Sequence, residues 1–385
     1  MVIYVRTQGA RIVKEGKHLL VKKGETIYHT LFTYKLRQVV IFGSVEITHR
    51  ALVQLMRHNV DIVFMTYNGR YLGRIAPPES KNVFLHKRQY KLLDDYEFGL
   101  RLARSIVAGK LANMATLLMR IKRSKKDSLA GQKAKEIQML MEKLEAADNI
   151  ESIRGYEGKG SALYFEGFSR GFIQDMGFRR RVRRPPTDPV NSVLSLLYTF
   201  LMNRVYAAIR ITGLDPYPGF LHTIDYGRYS LVLDLMEEFR PIIADTLTLS
   251  LFNLKILQNE DFYVERPESI KPSQNETDKF PDVTRDPIGL ISLDESGEDI
   301  FDLPEQRIEE SISGSVEPMG KYPVKLNGDA FNRVIEAFEK KLTTSFYYPP
   351  AERKLTYGDA IYYQAGLLRK VIEGEVKLYQ PLLLK

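Results

Sequence analysis

Two carboxylates, Asp234 and Glu237, lie three residues apart in a segment that is otherwise apolar. The run 230–239 predicts a helix of about three turns, with Ser230 as a possible N-cap and Pro241 as its stop. Both carboxylates would project from one face of this helix, while apolar residues cover almost all of the rest. Buried carboxylates need cationic partners, so the segment predicts either a metal site or a set of ion pairs.

His222 could add an imidazole ligand to these carboxylates. It lies fifteen residues before Glu237, and the segment that begins at Pro218 could turn back over the predicted helix. A lone histidine is more often a satisfied core residue, however. In that alternative, Arg228 or Arg240 neutralises the carboxylates without any metal.

Glu157 is a further acidic candidate, in the segment RGYEGKGSALYFEGF. The glycines Gly155, Gly158 and Gly160 around it would let the backbone approach a phosphate or another chain closely. Ser161 is a plausible cap for a helix over residues 161–174. An ordinary flexible turn before a helix is the alternative.

A run of arginines, FRRRVRRPP, predicts contacts with the nucleic-acid backbone. Guanidinium groups this close together repel one another unless anions lie among them, and arginine suits bidentate contacts with phosphate. A solvated turn is the alternative. The predicted contacts are Arg179, Arg180, Arg181, Arg183 and Arg184. We add Lys110, whose helix leads into a less specific basic stretch at residues 120–126.

Composition narrows the chemistry further. The absence of cysteine excludes disulfides and thiolate nucleophiles, so a metal would depend on carboxylates and the six histidines, which favours hard cations. The net charge is +8, but residues 265–318 carry fifteen acidic and five basic residues, which leaves +18 on the other 331. Such a charge favours a polyanionic partner. No nucleotide-binding loop, nucleophile elbow or dinucleotide fingerprint is present.

These residues must be positioned by two domains of different kinds. Residues 1–78 read as short strands with one helix at 48–58, and Pro77-Pro78 ends the domain. Residues 82–385 have mainly helical spacing, with predicted helices that include 190–212 and 330–342. An acidic insertion at about 260–320, which we predict to be partly disordered, interrupts this pattern. We therefore predict an α+β protein, a β-rich domain followed by a larger helical one. Without a signal peptide or a membrane-spanning stretch, it is expected in the cytoplasm with no membrane contact.

Together these segments resemble the endonuclease and integrase of CRISPR spacer acquisition, the Cas one family. The resemblance covers most of the chain in order, and only the acidic insertion departs from the family pattern. It rests on FGSVEIT, VDIVFMTYNGRYLGR, KRQY, GKLANM, GYEGKGSALYF, RRPPTDPVNSVLSLLY, GFLHTIDYGRYSLVLDLMEEFRP and LNGDAFNRVIEAFEKKL.

The resemblance implies that Glu157, His222 and Glu237 bind Mg²⁺ or Mn²⁺, and that Asp234 supports catalysis. It also implies a homodimer formed through the β-domains, which works with a small second CRISPR adaptation protein on double-stranded DNA fragments and the CRISPR repeat. The implied reaction is attack of a DNA 3′-hydroxyl on a phosphodiester. Two rivals stay open: a free-standing metal-dependent nuclease that acts on branched DNA in repair, and a non-catalytic DNA-binding scaffold.

Overall fold

The structure, a computed structural model, describes residues 1–76, 82–183, 185–265 and 322–384. It divides into two compact units, Met1–Asn82 and Val83–Lys385. The first is strand-rich and the second mainly helical, so the predicted α+β class is confirmed. The predicted proline boundary and nearly all of the acidic insertion lie outside the described residues.

The first unit contains two four-stranded sheets and one helix. In one sheet the strand order is β1-β5-β7-β8, with β8 antiparallel to the parallel remainder; in the other it is β4-β3-β2-β6. A core that includes Ile12, Leu19, Val39 and Ile62 is buried in this unit. The elements are β1 (Val2–Val5), β2 (Arg11–Glu15), β3 (His18–Lys23), β4 (Thr26–Leu31), β5 (Gln38–Phe42), β6 (Glu46–Ile47), α1 (His49–Arg57), β7 (Asp61–Met65) and β8 (Tyr71–Ile75).

The second unit is a helical assembly with two short hairpins, β9 with β10 and β11 with β12. Its elements are α2 (Val83–Lys91), α3 (Tyr96–Lys125), α4 (Ser128–Glu145), α5 (Ile150–Phe168), α6 (Pro189–Ile211), α7 (Ser230–Met236), a π-helical turn (Arg240–Asp245), α8 (Thr246–Asn253), β9 (Phe262–Val264), β10 (Val324–Leu326), α9 (Gly328–Thr343), β11 (Ser345–Tyr348), β12 (Arg353–Thr356) and α10 (Tyr357–Glu373).

Helix α5 corrects the prediction of a turn around Glu157. The helix begins at Ile150, because the side chain of Asn149 accepts a hydrogen bond from the Ser152 amide, 2.7 Å away. Glycine allows α5 to approach α3 closely, since a Cβ built on Gly160 would lie 2.3 Å from a methyl of Leu111. The predicted helix start at Ser161 was therefore wrong.

The helical path after Ser230 is also longer than predicted. Ser230 is the first residue of α7, which ends at Met236, and Tyr229 takes the N-cap position. Pro241 does not stop the helical path, because it lies in the first turn of the π-helical segment, where a missing amide hydrogen costs little. The chain runs on into α8.

Helix α6 is long and apolar enough to cross a bilayer by composition alone. In its most apolar window, however, 72% is buried inside the protein. That degree of burial is typical of a core helix, and this one carries Tyr198 toward the site described next.

Candidate active site

Three of the buried charged residues meet between α3, α5 and the end of α7. Lys110 on α3 donates a hydrogen bond to Oε1 of Glu157 on α5, and its Nζ lies 2.7 Å from Oε2 of Glu237. Ser161, one turn after Glu157, donates a second hydrogen bond to the same Oε1 at 2.9 Å. Lys110 is only 3% exposed, which corrects its predicted contact with the nucleic-acid backbone.

His222 lies beside these carboxylates and is oriented by Asp234. Nδ1 of His222 lies 2.6 Å from Oδ1 of Asp234, while Nε2 lies 3.8 Å from Oε1 of Glu237. When Nδ1 carries the ring proton, it donates to Asp234 and leaves the Nε2 lone pair directed toward Glu237. The predicted residues His222, Asp234 and Glu237 are therefore brought together.

Asp234 also fixes the backbone of the segment that carries the imidazole. Its carboxylate accepts hydrogen bonds from the amides of Phe220 at 2.6 Å, Leu221 at 3.0 Å and His222 at 2.9 Å. Asp234 is fully buried, and all four of its hydrogen-bond donors belong to the segment that carries His222. Asp234 therefore positions His222.

Glu237 is the most electrostatically constrained of the predicted ligands. Burial raises its pKa, but the charges of Arg240, Lys110 and His222 outweigh burial and hold the pKa below its usual value. Arg240 lies 3.2 Å from Oε1, so the predicted neutralisation by this arginine is present. Nζ of Lys110 lies 2.7 Å from Oε2 of Glu237, within the range of a charge-assisted hydrogen bond. Two cations therefore keep this buried carboxylate in its charged form.

A tyrosine and aspartate network supports Arg240, and sequence reasoning missed it. The Arg240 guanidinium lies over the ring of Tyr198, 4.8 Å from its centre. The hydroxyls of Tyr198 and Tyr164 each donate a 2.7 Å hydrogen bond to Asp245. Burial raises the pKa of Asp245 to about 6, although the two tyrosine hydrogen bonds oppose it. These residues come from α5, α6 and the π-helical turn, so no local spacing indicated them.

Glu238, the residue after Glu237, is buried as well. Its carboxylate accepts hydrogen bonds from the Tyr379 hydroxyl at 2.8 Å, the Leu382 amide at 2.7 Å and the Gln364 side chain at 3.2 Å. Burial raises its pKa to about 8. Glu238 therefore anchors the C-terminal segment next to Glu237.

Glu157, Glu237 and His222 form a ligand set that fits a hard divalent cation, in the place that the Lys110 ammonium now occupies. Among the described parts of the chain, no three carboxylates and imidazoles are arranged so that they could hold a metal ion as they stand. Instead, the ammonium of Lys110 lies between Glu157 and Glu237 and supplies the positive charge that a cation would supply. Two carboxylates with one imidazole are a ligand set suited to Mg²⁺ or Mn²⁺.

The structure separates the predicted arginine contacts into different environments. Arg179 is exposed and makes a 2.8 Å hydrogen bond to Asp175. Arg181 turns inward, where it donates to Asn191 at 2.8 Å and to Ser195 at 3.0 Å. Burial lowers the pKa of Arg181 to about 10. Its predicted contact with the nucleic-acid backbone is thus corrected to a structural role.

The other three arginines of the run differ in their exposure to solvent, which the structure gives for two of them. Arg180 is exposed, and Arg183 is partly buried. Arg184 lies outside the described residues. Arg179 and Arg180 are therefore the members of the run placed most openly to meet a ligand.

Comparison with known proteins identifies the class to which this fold and site belong. The model of the family described as CRISPR associated protein Cas1 matches residues 3–275. The chain belongs to the Cas1 family, which confirms the resemblance inferred from the sequence.

Relatives of full length carry the same family name. A CRISPR-associated endonuclease Cas1 of Chlorobaculum tepidum is 29% identical, over 98% of this chain and 97% of its own length. Another, from Thermus thermophilus, is 30% identical over 99% of this chain and 96% of its own length.

Solved structures share the fold at low sequence identity. A Cas1 protein from Thermotoga maritima has a TM-score of 0.74 at 20% identity, covering 98% of this chain and 99% of its own. A casposase bound to integration product has a TM-score of 0.75 at 20% identity, covering 98% and 92%. A chain of a Cas6-RT-Cas1–Cas2 complex has a TM-score of 0.75 at 21% identity; the match covers all of this chain and 36% of that one.

Proposed function

We propose that this chain is a metal-dependent DNA integrase and endonuclease of CRISPR adaptation. It joins the 3′-hydroxyl ends of captured DNA fragments to the CRISPR repeat by transesterification. The observation that carries the proposal is the pair of buried carboxylates, Glu157 and Glu237, on either side of the Lys110 ammonium, with His222 beside Glu237. Two relatives are named CRISPR-associated endonucleases, and a casposase bound to integration product has the same fold, which supports joining as the reaction.

Each residue of the site has a distinct part in this proposal. Glu157 and Glu237 offer carboxylate oxygens and His222 offers Nε2, while Asp234 holds the imidazole through Nδ1. Bound there, Mg²⁺ or Mn²⁺ would activate the attacking hydroxyl or water and offset negative charge at the phosphorus. Arg240 keeps Glu237 in its place. No protein nucleophile is needed.

The proposed partners follow from the same family. The protein would act as a homodimer formed through its β-rich unit, together with a small second CRISPR adaptation protein, in the cytoplasm. A relative of the same fold is part of a complex that contains Cas2, which supports the small partner. The substrates would be double-stranded DNA fragments and the CRISPR repeat.

Removal of divalent metal is expected to abolish joining completely. The test is a strand-transfer assay with labelled duplex fragments and a repeat-containing plasmid, with and without the small partner. Joined product in Mn²⁺ or Mg²⁺, lost in EDTA and restored by added metal, is the expected result. Cleavage of branched DNA without any joined product would instead favour a repair nuclease, and DNA binding without either reaction would favour a scaffold.

Exposed arginines of the 179–183 segment are expected to set the salt dependence of DNA binding. Replacing Arg179 and Arg180 with alanine should lower the slope of log K against log salt by up to about 1.8, since each phosphate contact contributes roughly 0.9. Fluorescence anisotropy across a salt series measures this slope.

The matched control is Arg181→Ala. It should lower the melting temperature but not the slope, because its guanidinium donates to Asn191 and Ser195. An unchanged slope in the Arg179 and Arg180 double variant would remove these residues from the DNA-binding surface.

A further inference from the structure

The C-terminal segment, residues 379–384, lies against the helix that carries Lys110. A Cβ built on Gly109 of α3 would lie 2.3 Å from the Cβ of Pro381, so the proline ring packs directly on the helix backbone. Gly109 is the residue before Lys110. Glycine at this position therefore admits the C-terminal segment beside the candidate active site.

The same segment binds the residue that follows Glu237. The Tyr379 hydroxyl and the Leu382 amide donate hydrogen bonds to the Glu238 carboxylate, at 2.8 Å and 2.7 Å. Gln364 of α10 donates to the same carboxylate at 3.2 Å. A buried carboxylate needs such donors because it has lost its hydration. Glu238 is thereby fixed to the C-terminal segment.

Asn113 connects these two contacts. It lies on α3, three residues after Lys110, and is fully buried. Its Nδ2 donates to the carbonyls of Glu238 at 3.0 Å and Leu382 at 2.8 Å, and its Oδ1 accepts from the Leu384 amide at 2.7 Å. One side chain therefore links α3, Glu238 and the C-terminal segment.

These contacts are more directional than the anchoring of a chain end requires. Apolar contacts would suffice to bury the segment, in which Leu382 is 1% exposed. The polar contacts instead concentrate on Asn113 and Glu238. The first lies about one helical turn from Lys110, and the second directly follows Glu237. Because a satisfied buried polar network is rigid, this one fixes the backbone at Glu237 relative to α3.

We propose that the C-terminal segment is a positioning element for the metal site, and that Asn113 is its positioning residue. By fixing Glu238 against α3, the segment holds the Glu237 carboxylate where a divalent cation would bind it together with Glu157. The inference rests on the proposed function, because a metal at these carboxylates is part of that proposal.

Gly109→Ala is the variant that displaces the segment. The added methyl group would meet Pro381, although alanine itself favours a helix more than glycine does. Mn²⁺ affinity, measured by isothermal titration calorimetry without DNA, should fall about tenfold, the low end of what loss of a group that supports a metal ligand costs. Pro381→Gly in the same chain should restore most of the affinity, because the Cα of Pro381 lies 3.8 Å from the built Cβ.

The matched control is Gly99→Ala on the same helix. Its added Cβ would lie 3.9 Å from the side chains of Ile150 and Phe220, an ordinary contact, so Mn²⁺ affinity should equal that of the wild type. A lowered melting temperature with unchanged Mn²⁺ affinity in Gly109→Ala would overturn the proposal. If that variant fails to fold, Asn113→Ala decides in the same assay, because it removes the hydrogen bonds without adding atoms.

A measurement without metal separates this inference from the proposed function. In EDTA, Glu237→Gln removes the charge that faces Lys110, so it should lower the melting temperature. The decrease should be smaller in Gly109→Ala than in the wild type, because both substitutions act on one contact. Equal decreases in the two backgrounds would contradict positioning of Glu237 by the segment. A wild type that binds no Mn²⁺ would contradict the proposed function, and the EDTA measurement would still decide this inference.

Discussion

Alanine at His222 is expected to reduce strand joining by at least about 100-fold, while DNA affinity changes less than twofold. The imidazole is held by Asp234 at 2.6 Å, with Nε2 directed toward Glu237, so its removal deletes one ligand of the proposed cation. A bound cation contributes several kcal/mol at the transition state, and each 1.36 kcal/mol is tenfold in rate. Glu157→Ala should have the same result, because it removes another ligand. Joined product is quantified on gels in Mn²⁺, and affinity by anisotropy in EDTA.

The matched control is His86→Ala. His86 lies in the same unit, and its Nε2 contacts the Gly213 carbonyl at 2.9 Å rather than the carboxylates. Its loss should leave the joining rate within a few-fold of the wild type. Joining at the wild-type rate in His222→Ala would contradict the assignment of this histidine as a ligand. Loss of both joining and folding would be recognised by a lowered melting temperature.

The sequence predicted elements well where local signals agree. The helix predicted at 190–212 is found at Pro189–Ile211, because Asp188 caps it and proline occupies its first turn. The helix predicted at 330–342 is found at Gly328–Thr343, with apolar spacing on one face. In both cases the cap, the composition and the periodicity indicate the same boundaries.

Prediction failed where tertiary packing overrides local preference. Glycines around Glu157 suggested a turn, yet all three lie inside α5. Gly160 packs too closely against Leu111 of α3 to carry a side chain, whereas Gly155 and Gly158 have open space. Pro241 suggested a helix stop, yet the helical path widens to a π-helical turn and continues. At Gly160 the outcome depends on a neighbour distant in sequence, Leu111.

The sequence allowed the acidic residues and the histidine of the candidate site to be predicted. It did not allow the contacts among them to be predicted. Asp234 was expected close to Glu237, and the structure adds that it binds the loop of His222. Lys110 could not be placed from sequence, because its partners are Glu157, 47 residues away, and Glu237, which follows it by 127 positions. A basic residue in a helix looks like a surface contact until its burial is known.

Methionine in place of Lys110 is expected to make folding stability depend on divalent metal. The substitution leaves Glu157 and Glu237 buried without their shared ammonium, although Arg240 still contacts Glu237. Removing one partner from a buried ion pair costs about 3–5 kcal/mol. In EDTA the melting temperature should therefore fall by on the order of 10 °C, at about 2–4 °C per kcal/mol for a domain of this size.

Added Mn²⁺ should then stabilise Lys110→Met more than it stabilises the wild type. In the wild type, a cation between the carboxylates must first displace the ammonium, which offsets part of its binding free energy; in the variant it replaces a missing charge. Thermal melting over a Mn²⁺ series, with isothermal titration calorimetry for affinity, measures the difference.

Lys133→Met is the matched control for this effect. Lys133 also contacts two glutamates, at 2.9 Å to Glu166 and 3.5 Å to Glu136, but its side chain is 13% exposed and far in sequence from the proposed ligands. Its loss should cost less stability and should leave the Mn²⁺ response unchanged. If Mn²⁺ raises the melting temperatures of Lys110→Met and the wild type equally, the cation does not bind between Glu157 and Glu237. A larger rise in Lys110→Met alone would mean that Lys110 and the metal compete for one place, so that the ammonium keeps the carboxylates paired until metal arrives.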